Sequence, residues 1–125
     1  MAIPFDQIPA RAVAAIAAIK DEHAACTAAM AALLATAAPD QYLGGQMADH
    51  AARLALIEGQ WGAYIYAKKV AEFQIEKDPE GGEKALILAL LEEAARPGGL
   101  GYTGTAGYLE GYRRAFGKVY EWLAY

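Results

Sequence analysis

The sequence predicts an all-α protein: a four-helix bundle-like domain in which a long antiparallel helical hairpin is followed by two shorter C-terminal helices. Three observations predict this class. Alanine, the strongest helix former, makes up about a quarter of the 125 residues. Apolar residues recur at helical spacing, and no segment alternates like a strand. Glycine and proline residues group at three places where a helical chain can turn. Residues 1–125 are therefore expected to form a single helical domain.

The first helix is predicted over about residues 8–37. Asp6 is a candidate N-cap, Pro9 suits the first turn, and Pro39 stops the helix. Residues 24–38 carry no charge on any face, and a helix that is apolar all round is usually covered all round. Four helices of this size cannot cover it easily, so the pattern predicts a neighbouring subunit. One seam has bundle-type spacing: Ile16, Ile19, His23, Cys26, Met30, Leu33 and Ala37.

The second helix is predicted over about residues 46–77, and it carries two apolar stripes instead of one. Such a helix is expected to lie at the centre, with one stripe against the first helix and the other against the later helices. Gly59 and Gly62 lie in the second stripe. Because glycine destabilises a helix interior by roughly 1 kcal/mol, these two are expected to permit a close helix crossing.

The third and fourth helices are predicted over about residues 83–96 and 105–124, with Thr105 as a candidate N-cap of the fourth. A projection at 100° per residue places the glycines of the fourth helix, Gly107 and Gly111, on its polar outer face. The opposite arc is expected to dock on the second stripe of the central helix. That arc contains Tyr108, Leu109, Tyr112, Phe116, Val119, Tyr120 and Leu123, with Trp122 at its edge.

The charge balance and the cysteine content exclude several classes of partner. The net charge is −4 and the pI is near 5.1, which argues against nucleic acid, since a binder needs a basic face. A single cysteine fits a reducing compartment. With no signal-peptide pattern and no apolar run of membrane-spanning length, no membrane contact is expected. The predicted location is intracellular, or within a particle assembled in the cytoplasm.

The best candidate for chemistry is the group formed by His23, Cys26 and Glu58. His23 and Cys26 are three residues apart on one helix face, a spacing that metal ligands use. An antiparallel hairpin about residue 41 would place Cys26 opposite Glu58, and His50 about 10 Å further along the helix. There is no second cysteine and no Glu-x-x-His motif. A histidine and a cysteine filling an alanine seam are the alternative, so no catalytic, cofactor or metal residue is assigned.

The segment 99–104 matches G-x-G-x-x-G letter for letter. The motif binds dinucleotides when a strand delivers the glycines to a helix N-terminus, but here a helix and Pro97 precede it. No dinucleotide cofactor is therefore predicted. Backbone amides at the start of the fourth helix are a candidate anion site, and a plain connection between helices is the alternative.

These patterns favour a non-enzymatic structural or assembly protein that acts through helical packing in a homo-oligomer or larger particle, such as a virion component. Two alternatives remain: a small metal- or thiol-dependent helical enzyme using His23, Cys26 and Glu58, and a helical adaptor that binds a partner protein. Glycine, aromatic and basic residues near the C-terminus are the candidate contact residues. They are Gly101, Gly104, Gly107, Gly111, Arg114, Lys118, Trp122 and Tyr125.

Overall fold

The computed structural model describes residues 2–95 and 106–123, and within these ranges it shows four α-helices and no β-strand. The all-α prediction is confirmed. Helix ends that fall within the described residues lie within two residues of the predicted ones. The helices are α1 Ile8–Thr36, α2 Gly44–Lys77, α3 Gly82–Ala95 and α4 Ala106–Trp122, and a 3₁₀ turn, Phe5–Gln7, precedes α1.

The turns between the helices follow local rules, with one correction. Pro9 lies in the first turn of α1, as expected, because that turn needs no backbone donor. Asp6 is not the N-cap: it belongs to the 3₁₀ turn, and Gln7 precedes α1 without a side-chain cap. Beyond α1, the Gln41 side chain accepts a hydrogen bond of 3.1 Å from the Ala38 amide. Asp78 likewise accepts one of 3.0 Å from the Gly81 amide before α3 begins.

Helix α2 is central and packs against each of the other three helices. The core lies at one end of the molecule, where the first half of α1, the second half of α2, α3 and α4 converge. Almost all of the buried apolar side chains come from these segments. The largest fully buried side chains are Phe116, Ile8, Leu86, Leu90 and Val119.

The backbones of α2 and α4 meet at a crossing, and glycines form it on both sides. A Cβ at Gly59 would strike the Tyr108 carbonyl oxygen and lie 3.0 Å from the Tyr112 nitrogen. A Cβ at Gly111 would strike the Leu56 carbonyl oxygen. The predicted close crossing at Gly59 is confirmed. The prediction that Gly111 lies on the polar outer face is wrong, since this residue is buried where α4 meets the α2 backbone.

The aromatic side chains of α4 close the core, as the helical projection predicted. The Tyr112 and Phe116 rings lie 4.7 Å apart between centroids, and Phe116 lies 6.0 Å from the Tyr66 ring of α2. Trp122 stacks on Tyr64 of α2 at 5.6 Å. These contacts join the C-terminal helix to the core along much of its length.

Away from the core, α1 and α2 continue together as a two-helix projection, here called the arm, formed by residues 24–36 of α1 and 44–55 of α2. From residue 24 to residue 55, Cys26 is the one buried residue. Met30 and Leu54 are half-buried and pack against the core cluster. The arm therefore has a thin interior, because neither α3 nor α4 extends along it. None of the described helices has the length and apolar character needed to cross a membrane.

The glycine crossing gives a paired stability test. We expect Gly59→Ala and Gly111→Ala each to lower the free energy of unfolding by about 1–3 kcal/mol, because the added methyl group overpacks a backbone contact. Gly117→Ala is the control, since a Cβ there meets nothing within 4 Å. It should raise stability by about 0.5–1 kcal/mol through helix propensity. Urea unfolding followed by circular dichroism measures all three. An equal increase in the free energy of unfolding for all three variants would contradict the close backbone contact at the crossing.

The buried phenol of Tyr112 gives a pH test. Burial raises its pKa well above the ordinary value of 10, and its 3.0 Å hydrogen bond to the Glu93 carboxylate raises the pKa further. The unfolded chain therefore releases this proton at lower pH than the folded chain does. The resulting stability is fully present below about pH 10 and is lost as pH rises above it.

We expect the free energy of unfolding to fall between about pH 8 and about pH 11, and to fall less in Tyr112→Phe, which has no proton to lose there. At the lower pH this variant should be less stable by about 0.5–1.5 kcal/mol, because the hydrogen bond to Glu93 is lost. Urea unfolding at the two pH values provides the comparison. An identical pH-dependent loss in both proteins would contradict the assignment.

Candidate functional site: the outer face of the helical arm

The outer face of α1 in the arm is an exposed surface without charged residues. Eleven of the fifteen residues from 24 to 38 are exposed, and none of the fifteen is charged. Leu34 is 60% exposed. The sequence predicted that this half of α1 would be covered on all sides. Within the described chain only α2 covers it, because α3 and α4 pack around the other half of the hairpin.

The two helices of the arm differ in what they present to solvent. In α1, Cys26, Met30 and Leu33 turn toward α2, and short apolar side chains occupy the opposite side. In α2, Asp49 and Arg53 are exposed and give that side a polar character. Any apolar contact made by the arm would therefore be made by the outer face of α1. Such a face, rimmed by polar groups, is typical of a protein–protein contact.

Two of the three residues predicted as a chemical group do come together. His23 of α1 and Glu58 of α2 line a shallow groove of about 340 Å³, together with Trp61 and Tyr108. The His23 ring contacts Trp61 edge-on, with 5.5 Å between centroids. Sequence reasoning did not place Trp61 and Tyr108 in this group. Trp61 could have been found from its spacing of three from Glu58, but Tyr108 depends on how α4 crosses α2.

Cys26 is not part of this groove. Its thiol is buried and donates a hydrogen bond of 3.5 Å to the backbone carbonyl of His50. The predicted hairpin register, with Cys26 opposite Glu58 and His50 further away, is wrong in this respect. The Cys26 thiol lies at His50 rather than at Glu58, so counting back from the turn does not give the register at this position. Among the described residues, no three or more His, Cys, Asp and Glu side chains form a group that could hold a metal ion.

The groove holds a phenol in a state that disfavours proton transfer near neutral pH. Burial raises the pKa of Tyr108, and the negative charge of Glu58 raises it further. A tyrosine with a raised pKa stays protonated, so it is a poor base or nucleophile at pH 7. What the groove presents is two aromatic rings, an imidazole and an exposed carboxylate. That set can contact a ligand.

The candidate contact residues of α4 fall into two sets. Gly111 is buried in the crossing, which corrects its assignment to an outer surface. Trp122 is half-buried: it stacks on the Tyr64 ring, and the Arg11 guanidinium lies 5.7 Å from the centroid of its ring. Its role as a contact residue stays a prediction. Gly107 is half-buried.

Arg114 and Lys118 are exposed, as predicted for an outer face. Arg114 pairs with Glu110 at 2.6 Å, and Lys118 lies 3.6 Å from Glu121. Exposed pairs of this kind contribute little to stability. The remaining candidates, Gly101, Gly104 and Tyr125, and the candidate anion site at the start of the fourth helix, lie outside the described residues.

No known protein family, curated protein or solved structure matches the chain. The functional argument therefore depends on the geometry of its own surfaces. Among these surfaces, the outer face of α1 combines exposure with the absence of charge over residues 24–38.

The reactivity of the Cys26 thiol measures how tightly α1 and α2 pack in the arm, and this gives a test. In the native protein we expect it to react slowly with a thiol reagent such as dithionitrobenzoate, because it is 4% exposed. Low urea should accelerate the reaction before the core unfolds, because the arm contains few buried contacts. Stopped-flow absorbance alongside circular dichroism compares the two transitions. Immediate reaction of the native thiol would show that α1 and α2 do not pack at this position.

Proposed function

We propose that this chain is a non-enzymatic structural protein that assembles through helical packing, as a subunit of an oligomer or of a larger particle such as a virion. One observation carries the proposal: the uncharged half of α1 is exposed on the arm. An exposed apolar face of this length favours association, since burying apolar surface yields about 25 cal/mol per Å². The core lies elsewhere, so the face is available without unfolding.

The division of the chain into a core and an arm supports the same function. The aromatic residues of α4 are engaged in the core, where Phe116 contacts Tyr66 and Trp122 stacks on Tyr64 of α2. The arm carries little of that packing and presents its surface outward. A rigid core with a projecting apolar helix suits an assembly unit, because association then adds contacts without rearranging the core.

A charge placed on this face should break the assembly. We expect the wild-type chain to be oligomeric at micromolar concentration, and Ala28→Glu to raise the dissociation constant by roughly 100-fold, because a carboxylate would be desolvated in the contact. Multi-angle light scattering after size exclusion measures the mass, and circular dichroism verifies that the variant is folded.

Gly117→Glu is the matched control: it makes the same charge change on the open side of α4. It should leave the mass unchanged. If this control dissociates the oligomer and Ala28→Glu does not, the contact lies on α4, near Arg114 and Lys118, and the arm is not the assembly surface. A wild-type chain that remains monomeric at every concentration would overturn the proposal.

A further inference from the structure

We infer that the groove lined by His23, Glu58, Trp61 and Tyr108 binds a small molecule that carries a methylated ammonium group. This inference goes beyond the proposed assembly function and does not depend on it, since none of the described residues that line the groove belongs to the uncharged segment 24–38. Three features carry it: the aromatic rings of the groove, its carboxylate, and the glycines that place one of the rings.

Aromatic rings from three helices line this one groove. His23 of α1 and Trp61 of α2 meet at 86°, with 5.5 Å between their centroids, so the two rings form a corner. Tyr108 of α4 adds a third ring. The face of an aromatic ring attracts a cation that lies within about 6 Å of its centroid, and groups of such rings recognise quaternary ammonium ligands. A bare ammonium group is strongly hydrated, whereas methyl groups on the nitrogen gain from leaving water.

The charge in the groove favours a cation. Among the described lining residues Glu58 is the one carboxylate, and no lysine or arginine is present. Glu58 is exposed, and no basic side chain in the described part of the chain lies within ion-pair distance of it. Burial raises the pKa of Tyr108 and the charge of Glu58 raises it further, so the carboxylate acts on that ring. A cationic ligand would be attracted by Glu58, and an anion would be repelled.

Two glycines of α2 place the Tyr108 ring in the groove. Gly59 lets the backbone of α4 approach at the Tyr108 carbonyl. Gly62 makes room for the phenol, because a Cβ at this position would strike the Tyr108 hydroxyl. Glycine in a helix interior costs roughly 1 kcal/mol in propensity. At Gly62 the space left by the missing side chain is taken by the end of an aromatic side chain and not by a backbone.

The size of the groove fits a small ligand. Its volume of about 340 Å³ lies at the lower end of the range for small-molecule sites. One methylated ammonium group with a short polar tail, as in choline, is of this size. Because the groove is shallow, part of the ligand stays in water, and we expect a dissociation constant on the order of 1 mM.

Nuclear magnetic resonance titration with choline tests the site, and the chain supplies its own reference signal. The two tryptophans give two indole N–H signals: Trp61 lines the groove, and Trp122 stacks on Tyr64. We expect choline to shift the Trp61 signal saturably and to leave the Trp122 signal in place. Dimethylbutanol, the neutral isostere in which carbon replaces the nitrogen, should bind about tenfold more weakly. Equal binding of the two ligands would overturn the inference.

The carboxylate and the ring position are tested by substitution. Glu58→Gln should raise the dissociation constant for choline about fivefold or more, because an opposite charge is lost. Glu76→Gln is the matched control, since it makes the same charge change at an exposed position near the other end of α2. Gly62→Ala should also weaken binding, by displacing the Tyr108 ring, and circular dichroism verifies the fold. Equal weakening by Glu58→Gln and Glu76→Gln would overturn the charge assignment.

Two further ligands separate the sources of the ammonium group. A peptide with trimethylated lysine carries the group on a protein, and phosphatidylcholine vesicles carry it on a membrane. We expect the peptide to bind less than about tenfold more tightly than choline, and the chain not to sediment with the vesicles. A tighter peptide, or sedimentation with the vesicles, would overturn the small-molecule assignment. An unchanged Trp61 signal with choline and with the peptide would overturn the inference as a whole.

Discussion

The backbone contact between α2 and α4 is the constraint on which the rest of the structure depends. Gly59 and Gly111 let the two helices meet where a methyl group on either side would strike a carbonyl oxygen. This approach brings Phe116 onto α2 and lets the other aromatic residues of α4 close the core beside it. It also places α4 beside the second half of α2, which leaves the first half of α2 paired with α1 alone. The arm is thus a consequence of where the glycines lie.

Alanine content explains why the arm and the core differ so much in packing. Alanine favours the helix but contributes little buried area, so two alanine-rich helices enclose a thin interior. In the arm that interior contains one buried residue, Cys26, and the half-buried Met30 and Leu54 add to it. The core instead has large side chains such as Phe116 and Leu90 at its centre. Alanine therefore favours helix formation along the whole chain, whereas the large buried side chains lie at one end of the molecule.

The helices and their approximate ends could be predicted from the sequence, because helix propensity and apolar periodicity act locally. The site could be predicted only in part. A helical projection assigns a residue to the outer or inner face by the polarity of its neighbours on the helix. Gly111 shares a face with charged residues, so the projection could not predict its burial against α2. The hairpin register was also wrong: counting back from the turn places Cys26 opposite Glu58, whereas the Cys26 thiol donates a hydrogen bond to the carbonyl of His50. The uncharged segment 24–38 could be read from the sequence. Its exposure could not, because that depends on where α4 packs.

The proposed assembly would link folding and association in a definite way. An arm with one buried residue gains little stability from its own packing. A partner that binds the folded arm stabilises it by mass action, in proportion to the logarithm of partner concentration over the dissociation constant. The core, closed by Tyr112 and Phe116, needs no such help. Under this proposal the same sequence feature, alanine on the exposed face of α1, gives the isolated arm little buried area and lets a partner approach the helix closely. The arm would then be more stable in the assembled state, while the core is folded in both.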